Sequence, residues 1–177
     1  MKHAASITTG AHQRLMEMVE PGLSEQRLEV ELNYQFGLGG ARSPAYPSIV
    51  GAGENACILH YVANDGEMHD GDLVLVDAGC EFEHYASDVT RTFPVNGRFT
   101  AAQKAVYEIV LCAQLAAIET IRPGNHWDQP HQAAVRVITE GLVELGLLSG
   151  EVDALVEQEA YKRYYMHKTG HWLGLDV

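Results

Sequence analysis

Apolar residues recur at spacings of three and four from the start of the chain. Ala4, Ile7, Ala11, Leu15 and Met18 would share one helical face, and Pro21-Gly22 stops the run. Ser24 can cap a second helix whose buried edge is Leu28, Leu32 and Phe36, with Gly37, Gly39 and Gly40 ending it. The chain is therefore expected to open as a helical hairpin. From Ser43 to Thr92 the pattern changes to short apolar or β-branched runs, 48–50, 57–61, 73–76 and 89–93, separated by glycine, asparagine and aspartate. That texture predicts a sheet. The run Leu73-Val74-Leu75-Val76 has no polar alternation and predicts a strand covered on both faces. Thr100-Ala101-Ala102-Gln103 has the form of a capping box, and Val106, Ile109, Val110, Ala113, Ala117 and Ile121 continue as an apolar stripe. This long helix should end at Pro123-Gly124. Ala134, Val137, Ile138, Leu142 and Leu145 outline a further helix that stops near Gly146.

The order helix, Pro-Gly, helix, strands, helix, Pro-Gly, helix is a partial internal repeat, Glu20-Pro21-Gly22 being answered by Arg122-Pro123-Gly124. A second strand set should follow, beginning near Tyr164-Tyr165-Met166, but the sequence stops at Val177. The expectation is an α/β (α+β) domain over residues 1–177, cut before its second strand set, with open strand edges left behind.

Composition narrows the function. With 177 residues, 46% of them hydrophobic, one sizeable core can be buried. The formal net charge of -12, from 24 acidic against 12 basic residues, leaves no basic stripe for phosphates or anionic headgroups, so neither nucleic acid nor a membrane surface is an expected partner. Cys57, Cys80 and Cys112 are scattered and form no C-x-x-C pair, which points away from a disulfide framework or zinc knuckle and toward a reducing cytoplasm. No export signal or membrane span is apparent.

Asp77 directly follows an apolar strand and Asp88 begins the return strand. With a turn centred between Phe82 and Glu83 the two would face each other across the ladder, ~4.5–5.5 Å apart at Cβ. Two carboxylates held so close repel unless a proton or cation lies between them, and hard oxygen ligands suit divalent ions. The same spacing also fits two exposed turn aspartates. His60 follows Ile58-Leu59, and His167 and His171 lie four apart in a glycine-punctuated segment. They read either as hydrogen-bonded packing residues or as ligands. His3, His12, His69, His84, His126 and His131 sit among polar residues and are expected on the surface. The glycine clusters at 37–40 and 51–53 lack the lysine of a phosphate loop, and there is no G-x-S-x-G elbow.

Four strings carry a resemblance: Cys57-Ile58-Leu59-His60-Tyr61, Gly71-Asp72-Leu73-Val74-Leu75-Val76-Asp77-Ala78-Gly79, Ser87-Asp88-Val89-Thr90-Arg91-Thr92-Phe93-Pro94, and His167 through Val177. In order, they resemble successive motifs of the bacterial Xaa-Pro aminopeptidases (aminopeptidase P) of the pita-bread metallopeptidase superfamily. The resemblance implies a pita-bread fold and two divalent ions, most commonly Mn²⁺. It further implies that Asp77 chelates one ion, Asp88 bridges both, His171 binds the other, and His60 and His167 act as catalytic residues beside the scissile peptide. The expected activity is removal of an N-terminal residue from peptides with proline second, by water that the ions activate. The family pattern also has a preceding N-terminal domain, oligomer contacts in the full-length protein, and two glutamates and a histidine downstream of His171, none of which lies in this sequence. The 177-residue chain alone is accordingly expected to be inactive. Two rival expectations are a non-catalytic peptide-binding module of the same fold and a prolidase restricted to dipeptides.

Overall fold

The computed structural model describes all 177 residues. The local signals set the helix ends. Ser24 caps α2 (Glu25–Leu38), its hydroxyl accepting from the Arg27 amide at 3.2 Å. α1 (Lys2–Met18) turns Ala4, Thr8, Ala11, His12 and Leu15 inward. Ala4, Ala11 and Leu15, with Leu28, Leu32 and Phe36 of α2, form one core with Val50, Met68, Val74, Val76, Ala78 and Phe93. The core thus lies between the helical pair and a sheet.

Two short antiparallel sheets make up the strand layer. One has the order β2 (Ile49–Ala52), β3 (Leu73–Ala78), β6 (Val89–Pro94), and the other β1 (Ser43–Pro44), β4 (Cys80–Phe82), β5 (Tyr85–Ala86). β3 and β4 are consecutive along one arm of a hairpin and β5 and β6 along the other, with the change of sheet at Gly79 on one side and Ser87-Asp88 on the other. At the hairpin tip Phe82 pairs with Tyr85, and Glu83 and His84 have φ of 50° and 68°. Two successive positive φ values define a primed two-residue turn, whose twist matches that of the strands it joins.

Two sequence expectations change here. β3 is not covered equally on both faces: Val74, Val76 and Ala78 are fully buried, whereas Leu73, Leu75 and Asp77 are half-exposed. Only the helix-facing side of the strand is in the core. Residues 57–61 are not a strand. A 3₁₀ turn, Gly53–Cys57, runs into an irregular loop in which Ile58, Leu59 and His60 are exposed and His60 has φ of 54°. The apolar run resembles a strand in composition, but no neighbour offers it a ladder.

By contact the chain divides into two compact units, residues 1–99 with 172–177, and residues 100–171. The last residues join the first unit through the Ala86 amide, which donates to the Gly174 carbonyl at 2.8 Å. In the second unit Thr100 and Gln103 form the expected capping box at the start of α3 (Ala101–Glu119). Ala113 and Ala117 of α3 pack with Ala134, Val135, Ile138 and Leu142 of α4 (Gln129–Glu144) and with Tyr161. A Cβ on Gly141 would come within 2.6 Å of the Ile109 side chain, so the absence of one lets the helices approach there. The expected α3 stripe is therefore only partly used. Its small residues pack, while Val106, Val110 and Ile121 remain 49%, 53% and 69% exposed. By length and apolarity α3 would also pass for a membrane span. A short helix α5 (Val152–Glu157) and a 3₁₀ turn (Ala160–Arg163) complete this unit.

Candidate metal centre

The hairpin register places the two aspartates. Asp77 pairs with Thr90 and Ala78 with Val89. Because the turn falls at Glu83-His84 and not one residue earlier, the ladder is shifted by two from the simplest expectation. Asp88 is thus diagonal to Asp77, not directly opposite. A shift of two preserves the face, since side chains alternate with period two. Gly79 lies where the two arms come closest: a Cβ there would stand 1.6 Å from the Ser87 carbonyl oxygen. Around it, the buried Thr8 and Ser87 hydroxyls lie 2.7 Å apart, and each accepts from the Cys80 amide at 3.1 Å. The bend therefore leaves that amide satisfied.

Both carboxylates converge on one phenol. The Tyr46 hydroxyl lies 2.6 Å from Asp77 Oδ1 and 2.9 Å from Asp88 Oδ1. A phenol has one hydrogen to give, so one of these contacts is satisfied only if a proton or cation joins the group. The electrostatics agree. Burial first, and then the charge of Asp88, raise the Asp77 carboxyl above its ordinary 3.8, against the opposing hydrogen bonds from Tyr46 and Thr90. Burial and the two aspartates push the Tyr46 phenol far above its usual range, so it stays a neutral donor.

His12 lies behind the same strand. It was expected on the surface but is only 2% exposed, with Nε2 3.3 Å from the Ala78 carbonyl oxygen and Nδ1 buried without a partner. Polar neighbours in sequence concealed its place on the inward face of α1. Burial lowers its pKa from 6.5, Arg91 adds to this, and the Ala78 and Val89 carbonyls and Asp77 oppose it. The folded state thus refuses a proton that the unfolded chain accepts. His12 contributes nothing above about pH 6.5, and stability falls as pH drops below that value toward the depressed folded pKa. Asp77 has the opposite sign, since a raised carboxyl loses stability as pH rises from 3.8. Urea midpoints for the chain and for His12→Gln, taken at about pH 7 and pH 5, should therefore show a smaller acid loss in the variant. Equal losses would exclude a neutral buried His12.

The remaining candidate histidines are on the exposed loop of the first unit and in the second unit. His60 is on the exposed loop described above. His167 is exposed, its Nδ1 2.8 Å from the Lys168 carbonyl oxygen and its ring edge-on to Tyr165 at 5.0 Å. His171 closes the second unit and is also exposed. His131, expected on the surface, is half-buried, with Nδ1 2.9 Å from the Thr169 hydroxyl, which lies 2.7 Å from the Tyr165 hydroxyl. No three His, Cys, Asp or Glu side chains form a group that could hold a metal ion. Asp77 and Asp88 nevertheless fit a hard divalent cation in chemistry, as two anionic oxygen donors gathered at one hydroxyl. Sequence reasoning missed Tyr46 altogether. Its setting, Pro44-Ala45-Tyr46-Pro47, carries no signal that links it to a carboxylate pair.

Comparison with known proteins supplies the remaining observations. The model of metallopeptidase family M24 matches residues 1–177. The Xaa-Pro aminopeptidase of Haemophilus influenzae is 52% identical over 177 residues, which are 100% of this chain and 41% of that protein. Human Xaa-Pro dipeptidase is 40% identical over 182 residues, covering 100% of this chain and 37% of its own length. Among solved structures, Pseudomonas aeruginosa aminopeptidase PepP superposes with a TM-score of 0.99 at 61% identity, over 100% of this chain and 40% of that one. Zinc-substituted Escherichia coli aminopeptidase P in complex with product gives a TM-score of 0.96 at 52% identity, over 98% of this chain and 40% of that one. The chain thus spans about two fifths of the length of the relatives it matches.

Proposed function

Given that this chain belongs to metallopeptidase family M24, we propose that the protein carrying it is a metal-dependent Xaa-Pro aminopeptidase, to which the chain contributes part of the metal centre. The observation that carries this reading is the convergence of Asp77 and Asp88 on the Tyr46 hydroxyl, on a fold shared with aminopeptidase P at 0.99 TM-score. Asp77 and Asp88 would hold divalent ions, Asp88 touching both, with His171 as a further ligand and residues outside this chain completing the set. When bound, such ions supply Lewis acidity and lower the pKa of water. The protein's own groups have separate tasks. Tyr46 holds the two carboxylates in one orientation, and His60 and His167 hydrogen-bond to the peptide around the bond to be cleaved. Mn²⁺ is the proposed ion. The three unpaired thiols support a cytoplasmic setting.

The human dipeptidase in the comparison favours one second reading, an enzyme restricted to dipeptides. A single assay series separates them. The full-length protein, stripped with chelator and titrated with Mn²⁺, should recover hydrolysis of tripeptides with proline second and leave matched alanine tripeptides nearly untouched. The 177-residue chain alone should give no measurable cleavage in excess Mn²⁺. Cleavage of Xaa-Pro dipeptides but not tripeptides would establish the dipeptidase. Activity that survives chelation, or shows no preference for proline, would overturn both.

A further inference from the structure

Glu25 is the first residue of α2, and its carboxylate is completely buried. Ala52 N and Asn55 Nδ2 donate to Oε1 at 2.8 and 3.0 Å. Gly66 N donates to Oε2 at 2.8 Å, and the Tyr61 hydroxyl lies 2.8 Å from the same oxygen, with Asp65 Oδ1 a longer second acceptor at 3.0 Å. The main chain adds to this, because the Glu25 amide donates to the Gly66 carbonyl at 2.9 Å. A buried carboxylate is tolerated only when hydrogen bonds replace its water, and here the donors come from both ends and the middle of one loop. The helix N-terminus adds a favourable field for the charge. Gly66 is fitted to the arrangement: a Cβ there would meet Asn55 Nδ2 at 2.8 Å and the Glu25 carboxyl at 3.1 Å.

The loop held in this way is the one that carries His60. Its neighbour Tyr61 is bound to Glu25 directly, and the Tyr61 phenol is pushed up to about 12, by burial and then by that bond. A second buried side chain fixes the far side: Asn64 donates to the Ser48 carbonyl and accepts from the Val50 amide, both at 2.9 Å. Within the loop so anchored, His60 and Asn64 have φ of 54° and 50°. Positive φ at non-glycine residues persists only where the surroundings over-determine it. Ile58 and Leu59, beside His60, are 55% and 60% exposed, so apolar burial does not hold this part of the loop.

We infer that Glu25 is a positioning residue, which fixes the loop from Gly53 to Gly66 and through Tyr61 sets the backbone of His60. The inference rests on the catalytic role proposed above for His60. It makes a buried residue of α2, with no substrate contact of its own, a determinant of turnover.

The test is a mutant cycle in the full-length protein, with kcat, KM and bound metal measured for Glu25→Gln, Tyr61→Phe, His60→Ala and the two combinations with His60→Ala. Glu25→Gln keeps the volume but turns one acceptor into a donor that faces other donors. It should lower kcat by roughly 10- to 100-fold, the range for groups that orient a functional side chain, with metal content unchanged. Tyr61→Phe should lower it less. In the His60→Ala background both should change kcat by less than about twofold, because a residue acting through His60 has nothing left to orient. Hydrogen exchange should quicken in residues 53–66 of Glu25→Gln and be unaltered in β3 and β6. If His60→Ala lowers kcat and the Glu25 and Tyr61 effects multiply in full on top of it, the positioning role is overturned while the catalytic reading of His60 stands. If His60→Ala leaves kcat unchanged, that reading falls and takes the inference with it. Should Glu25→Gln not fold, Tyr61→Phe decides alone, since Gly66 still serves Oε2 in that variant.

Discussion

In the full-length protein, Asp88→Ala should reduce hydrolysis of a tripeptide with proline second by at least ~10²- to 10⁴-fold, the cost of losing a group on which the chemistry depends, and should lower the content of both ions. Two effects combine. On the reading proposed above, a carboxylate shared by two cations is removed, and Asp77 and Tyr46 are left with half the negative charge of the pair gone. Asp88→Asn separates them, because it keeps the shape and an oxygen near the Tyr46 hydroxyl while deleting the charge. It should be nearly as inactive as the alanine variant if charge is what the ions require. Elemental analysis of purified protein is the decisive measurement: unchanged metal stoichiometry in Asp88→Ala would rule out the shared role, whatever the rate. Tyr46→Phe leaves both charges in place and should show a smaller loss, with both ions retained.

The second large effect lies at Gly79. Its Cβ position is 1.6 Å from the Ser87 carbonyl oxygen and 2.4 Å from the Ser87 carbonyl carbon, so alanine meets main chain and cannot be relieved by a side-chain rotation. Gly79→Ala should destabilise the chain by about 3 kcal/mol or more, above the usual cost of overpacking because the backbone itself must move. Denaturant unfolding measures it. The arms can separate only by breaking the Ser87 amide to Cys80 carbonyl bond of 3.0 Å, and the Thr8–Ser87–Cys80 cluster with it. A change below about 1 kcal/mol would mean that the bend tolerates a different path.

Much of this was legible from residue order. Ser24 and Thr100 announced their helices because capping is a local interaction within one turn. The inward placement of Ala4, Ala11 and Leu15 on α1 followed from period, whereas that of Thr8 and His12 did not. Asp77 and Asp88 share a face because strand alternation survives a two-residue error in register. What failed depended on partners distant in the chain. The turn sits one residue later than expected because Glu83 and His84 accept positive φ, although neither is glycine or asparagine. The run 57–61 has strand-like composition, yet the chain there is held through Glu25 and not by a ladder. His12 looked exposed because its sequence neighbours are polar, while its environment is set by Ala78, 66 positions away. Tyr46 is the sharpest case, since its role exists only after two strands and a preceding loop have been brought together.

The order in which the chain visits its two units bears on its synthesis. The path leaves the first unit at Phe99, builds the second from Thr100 to His171, and returns at Trp172. Most of the first core, from Ala4 to Val95, is available before the second unit begins. The second unit is built largely from neighbouring helices, and contacts of that kind form fast once the helices exist. The returning segment, including the Gly174 carbonyl that receives the Ala86 amide, must close a loop of about 88 residues. On a ribosome, at ~5–20 residues per second, that loop leaves the β5 edge waiting for several seconds. Ala86, two residues before Asp88 in the hairpin, is therefore on a strand edge that stays open to chaperones and to mispairing with another strand until the chain returns.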